Sequence, residues 1–168
     1  MPDACRSGVK YKKRSITIER KYFAYLRLGL KIAVLHGEKI HYANQQKNLL
    51  SAQCYEKAIN VFPLDNKDKN IIGKLYILRG GILKRLGADF FDEALLSLQK
   101  GLEIVDDEHL KGDAYYNLAC FYAKQDNRQM FDDIINNKLT SLAENEEKDI
   151  LERLDRWLKI NATNYASN

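Results

Sequence analysis

Proline is nearly missing from this chain. Pro2 and Pro63 are its only two among 168 residues, so long helices can run without interruption. Cysteine is scarce as well: Cys5, Cys54 and Cys120 are odd in number and widely separated, and they show none of the close pair spacings of a zinc or redox motif. Cys54 and Cys120 fall inside helical patterns, where a free cysteine is expected to be a small buried apolar residue. No apolar run approaches the roughly 18 to 20 residues needed to span a bilayer, and the first residues are polar rather than signal-like. A soluble, cytoplasmic protein is expected, and Asn161 in its Asn-Ala-Thr triplet is then not expected to carry a glycan. Neither charge sign dominates. The 27 basic and 23 acidic side chains leave +4, which favours acidic partners without demanding nucleic acid.

What is present is helical patterning. With 45 % apolar residues the chain can bury one sizeable core, and one domain over residues 15–160 is the working count. Residues 1–14, with Lys10, Lys12, Lys13 and Arg14, lack apolar periodicity and read as a flexible basic arm, and 161–168 as a flexible tail. Phe23, Leu26, Leu30 and Val34 predict a helix from about Glu19 to Leu35, ended by His36 and Gly37. Its partner runs from Tyr42 or Asn44 to Phe62, where Pro63 stops it. Beyond a polar connector, Ile71–Leu86 reads as a helix closed by Gly87. Phe90–Val105 follows, with Phe91, Ala94, Leu95, Leu98 and Leu102 in one stripe. Asp106, Asp107 and Glu108 then form an acidic start for Leu110–Lys124, and Arg128–Leu139 completes a third pair. Ser141 with Glu144 spells a capping box for a last helix through Ile150, Leu154, Trp157 and Leu158, with Trp157 as its largest anchor.

Three segments repeat one another: Tyr25, Leu28, Gly29, Ile32; then Tyr76, Arg79, Gly80, Leu83; then Tyr115, Leu118, Ala119, Tyr122. Downstream of the first two lie Ser51, Tyr55, Ala58, Pro63 and Ala94, Leu98, Gly101, Asp106. Small residues at Gly29, Gly80, Ala119, Ser51, Ala58 and Ala94 let paired helices cross closely. The pattern, over roughly residues 20–140, resembles the tetratricopeptide repeat family, whose unit is about 34 residues long. Here Tyr25, Tyr76 and Tyr115 are 51 and 39 residues apart, so the first two repeats carry insertions, the larger one mostly between His36 and Ser51. Arg79 stands where the family has leucine, and Phe131 where it has alanine. The resemblance implies an all-α fold, an α-solenoid of about three antiparallel hairpins with a C-terminal capping helix.

It also implies a function. In this family the first helix of each pair lines a concave groove that receives a peptide or helix. Carried over, the partner-binding residues would be Arg27, Leu30, Lys74, Lys84, Arg85, Tyr116, Asn117 and Lys124, a partly apolar and basic face suited to a segment bearing acidic groups. The chaperone-tail subgroup is not expected, because Leu26 and Leu30 replace its polar pair and Asp113 its lysine. The chain is also similar in length and repeat count to small helical-repeat chaperones of bacterial secretion systems. A monomer or a homodimer paired through the last helix would both suit such a stack.

Catalytic readings find little footing. His36 and His41 stand five apart across Gly37, not at the i, i+4 spacing that puts two imidazoles on one helical face. Cys54 has no sequence partner to make it a nucleophile, and Gly80-Gly81 lacks the lysine and hydroxyl of a phosphate loop. No enzyme, no metal and no cofactor are expected. Nucleic-acid binding through Lys10 to Arg14 is the alternative, as salt-sensitive, sequence-neutral contact with phosphates.

Overall fold

In a computed structural model, residues 24, 25, 27, 41–61 and 69–165 are described. Every regular element among them is helical and none is a strand, so the all-α expectation holds. The helices are α1 (His41–Asn60), α2 (Lys69–Leu86), α3 (Phe91–Ile104), α4 (Glu108–Lys124), α5 (Arg128–Asp133) and α6 (Glu144–Asn161). The chain divides into two compact units, Met1–Asp68 and Lys69–Asn168, each treated by itself.

In the first unit α1 buries one stripe. Asn48, Ser51, Ala52, Tyr55 and Ala58 recur at helical spacing and all are buried, so the small and large residues of the second repeat pattern do share a face. Cys54 beside them is a buried free thiol. The Lys57 ammonium lies 5.7 Å from the ring centre of Tyr25. Ala24, Tyr25 and Arg27 are helical. The remainder of the expected Glu19–Leu35 helix, the side chains of His36, Glu38 and His41, and the 1–14 arm lie outside the described residues.

The second unit begins with an antiparallel pair. A Cβ added at Gly80 of α2 would lie 2.6 Å from Leu98 Cγ and 3.0 Å from Ala94 O of α3, and one at Gly101 would lie 2.7 Å from Ile77 Cγ1. Rising numbers on α2 thus meet falling numbers on α3, and the small residues set how near the axes come. Gly87 turns the chain at φ 106° and ψ −168°, a region open to glycine alone. Arg79, placed where an apolar residue was expected, is only 8 % exposed. It is tolerated because its guanidinium donates to Ser97 Oγ at 2.6 Å and pairs with Glu93, both on α3.

Asp107 caps α4 by accepting from Leu110 N at 2.9 Å. Asn70 Oδ1 accepts from Asp106 N at 2.9 Å, tying the starts of α2 and α4 together.

Three expectations are corrected beyond α4, two in backbone structure and one at Trp157. The helix expected over Arg128–Leu139 is α-helical only to Asp133, then a π turn over Ile134–Lys138 and a 3-10 turn over Leu139–Ser141. Ile134 and Leu139 are both buried and stand five apart, a spacing that a π turn places on one face and an α turn does not. The capping box at Ser141 does not form. Ser141 Oγ donates back to Lys138 O at 2.6 Å, and the residue preceding α6 is Ala143, with no side-chain cap. Glu144, Glu146 and Glu147 in the first turn of α6 supply the negative charge that its positive end favours.

Ile150, Leu154 and Leu158 form the buried stripe of α6. Trp157, expected as the main anchor, lies half-buried at the edge of that stripe, seven residues after Ile150 and so on nearly the same side of the helix, with the Lys84 ammonium 5.7 Å from its ring centre. The stripe meets α4 where Gly112 leaves room, a Cβ there lying 3.2 Å from Ile150 Cγ1. His109 Nδ1 meets Glu146 Oε2 at 3.2 Å, and Arg153 pairs with Asp113 at 2.9 Å.

Candidate binding face

Helices α2, α4 and α6 together build one cationic and aromatic cluster. Lys84 leaves the last turn of α2 and is only 4 % exposed. Its ammonium donates to Asn117 Oδ1 at 2.9 Å and lies 5.6 Å from the Tyr116 ring centre and 5.7 Å from that of Trp157. Asn117 is held in turn by donating Nδ2 to Asp113 O at 2.9 Å, which fixes its oxygen toward the lysine. Gly81 makes the approach possible, since a Cβ there would stand 3.0 Å from Asn117 Oδ1.

No carboxylate pairs with Lys84 among the described residues. Desolvation therefore dominates and pulls its pKa down to about 8, with Arg85 and Lys124 pushing the same way and Cys120 opposing. Partial desolvation near Arg85 likewise lowers the pKa of Lys124, although its side chain is exposed. Burial raises Tyr116 to about 12 and drives up the fully buried Cys120 thiol. The neighbourhood is positive and partly dry, so an uncompensated charge is felt more strongly there than in water.

Arg153 of α6 completes the cluster. Its guanidinium lies 4.7 Å from the Tyr116 ring centre and pairs with Asp113 at 2.9 Å and Asp149 at 3.5 Å, so its charge is already balanced.

Of the eight residues expected to bind a partner, Lys84, Tyr116 and Asn117 come into direct contact, with Arg85 and Lys124 exposed beside them. Lys84 differs from the solvated cation that its sequence suggests, being enclosed by rings. Lys74 is exposed and sits ten residues before Lys84 on α2, about 15 Å along the axis. Arg27 is exposed in the other unit, and Leu30 lies outside the described residues. Arg153 and the role of Trp157 were missed. The one signal for Arg153 was its i, i+4 relation to Asp149, which does not reveal the stacking on Tyr116.

A separate cleft of about 560 Å³ opens between α5 and α6, with Phe131, Ile135, Leu151 and Tyr165 among its walls. Phe131 and Tyr165 meet edge to face at 4.8 Å, and Arg128 over the Tyr165 ring is paired with Asp132. Among the described residues no group of three His, Cys, Asp or Glu side chains could hold a metal ion. No described helix is long and apolar enough to cross a membrane.

No protein-family model, no curated protein and no solved structure matches the chain.

Proposed function

We propose that the chain is a non-enzymatic interaction scaffold of tetratricopeptide-like hairpins, docking a peptide or helix with acidic groups on the face shared by α2, α4 and α6. The observation that supports this reading is the trio Lys84, Arg85 and Lys124, none of which is paired with a carboxylate among the described residues, beside the partly exposed rings of Tyr116 and Trp157. Rings give a bound segment apolar contact area, and unpaired cations select for carboxylates and against basic competitors. The last helix fits the role of a cap, with its buried stripe turned to α4 and Lys148, Glu152, Arg156 and Lys159 exposed.

Short random peptides displayed on phage and panned on the folded chain test the proposal, with an Arg85→Glu, Lys124→Glu double variant panned in parallel. Acidic sequences enriched by the wild type and lost from the variant are the expected result. Sequences without acidic residues, retained equally by both proteins, would overturn it.

A further inference from the structure

The peptide reading leaves open what kind of anion the face takes, and the charge balance of the cluster narrows it. Lys84 and Arg85 lie in the last turn of α2, and Lys124 in the last turn of α4. Each helix end carries about half a negative charge. Three cations set against two such ends leave roughly two positive charges without a partner, since Arg153 is already neutralised by Asp113 and Asp149. A single carboxylate balances one of these. A phosphomonoester carries about −1.5 to −2 and three acceptor oxygens.

The geometry points to a phosphoryl subsite at this cluster, taking a phosphorylated side chain of the docked peptide, with Arg85 and Lys124 as direct donors and Lys84 as the buried charge beneath them. Arg85 and Lys124 are exposed and free to turn their donors toward one anion. Lys84 is held by Asn117 and between two rings, so it positions charge rather than reaching out. The cations also gather beside one aromatic patch. Successive phosphates of a nucleic-acid strand call instead for cations spread along a track, alternating with rings on which bases stack, and a membrane surface calls for a broad basic area around inserted apolar side chains. A single phosphorylated residue flanked by apolar contacts is the ligand that such a compact site fits.

This inference rests on the peptide-docking reading, and the test separates the two. Three degenerate peptide pools, identical except for a fixed central phosphoserine, glutamate or serine, are titrated against the folded full chain by fluorescence anisotropy. Vesicles containing phosphoinositide and a single-stranded RNA serve as further probes. The phosphoserine pool is expected to bind at least about tenfold more tightly than the glutamate pool. Arg85→Gln and Lys124→Gln, both at exposed positions and each verified as equally helical, are expected to remove that advantage. Equal binding of the phosphoserine and glutamate pools, both tighter than the serine pool, would overturn the phosphoryl subsite and leave acidic-peptide docking standing, whereas equal binding of all three would overturn both. Binding of no pool would overturn both, and binding of vesicles or RNA alone would reassign the cluster to that ligand.

Discussion

The Lys84 ammonium on α2 donates to Asn117 Oδ1 on α4 at 2.9 Å, and between them they carry a positive charge into the interface of two helices with no carboxylate paired to it among the described residues. Desolvation makes that charge costly, which is why the lysine pKa falls from 10.5 to about 8. Across that interval the unfolded chain holds a proton that the folded chain has released, so stability rises as pH increases from about 8 toward 10.5.

Lys84→Met should remove most of this rise, leaving the part that Lys124, also lowered by desolvation, contributes. Chemical denaturation of the wild type is expected to show a gain of about 1 kcal/mol relative to the variant between pH 7 and 9. The interval stops there because Cys120, raised by burial, opposes the gain at higher pH. At pH 7 the variant should be no less stable than the wild type, since the charge removed costs more than the unpaired Asn117 oxygen left behind. A parallel pH dependence in the two proteins would show that Lys84 is not the group responsible.

Gly80→Ala should destabilise the unit by about 1 to 3 kcal/mol, because its Cβ meets the Leu98 side chain and the Ala94 carbonyl. Gly87→Ala should cost a similar amount for another reason: nothing lies within 4 Å of its added Cβ, but its backbone conformation excludes alanine. Combining each with Leu98→Ala distinguishes them. The Gly80 cost should shrink in the double mutant and the Gly87 cost should add; additivity for both would contradict the close crossing.

Arg79→Leu should be tolerated within about 1 kcal/mol, since an apolar side chain of similar volume replaces the buried guanidinium and the Glu93 carboxylate left behind is about half exposed and stays hydrated. Ser97→Val, which removes an acceptor of a buried guanidinium, should cost more, about 1 to 3 kcal/mol. The reverse ranking in urea melts would mean that the ion pair rather than packing holds this crossing.

His109 is raised above its ordinary pKa, chiefly by the hydrogen bond with Glu146 and then by Asp113. Its contribution is complete at low pH and is lost as pH rises through the folded pKa. The stability gap between wild type and His109→Gln should therefore be wider at pH 5.5 than at pH 8. A gap independent of pH would show that the contact between the starts of α4 and α6 is not an ionic one.

How much of this could be read from the chain varies with the range of the interaction. Gly80 against Ala94 and Leu98, the Gly87 stop and the acidic start of α4 were legible because each depends on local spacing or on backbone conformation. The break at Ile134 was missed because the 3.6-residue period was extended through a segment whose buried residues are five apart. Ser141 was misplaced because a capping sequence cannot say which turn begins the helix. In the candidate site, the family resemblance pointed to Lys84, Arg85, Tyr116, Asn117 and Lys124, of which Lys84, Tyr116 and Asn117 come into direct contact. The enclosure of Lys84 depends on Trp157, and the charge balance on Arg153, both from a helix far along the chain whose docking no local pattern specifies.

The most direct test of the account is a titration of the isotopically labelled chain with an acidic peptide enriched in the panning experiment, followed by amide and side-chain chemical shifts. The account predicts saturable shifts that cluster at Arg85, Tyr116, Asn117, Lys124 and the Trp157 indole, and that diminish with added salt. Shifts confined to the cleft between α5 and α6, or spread over the surface without saturating, would contradict a binding face on α2, α4 and α6.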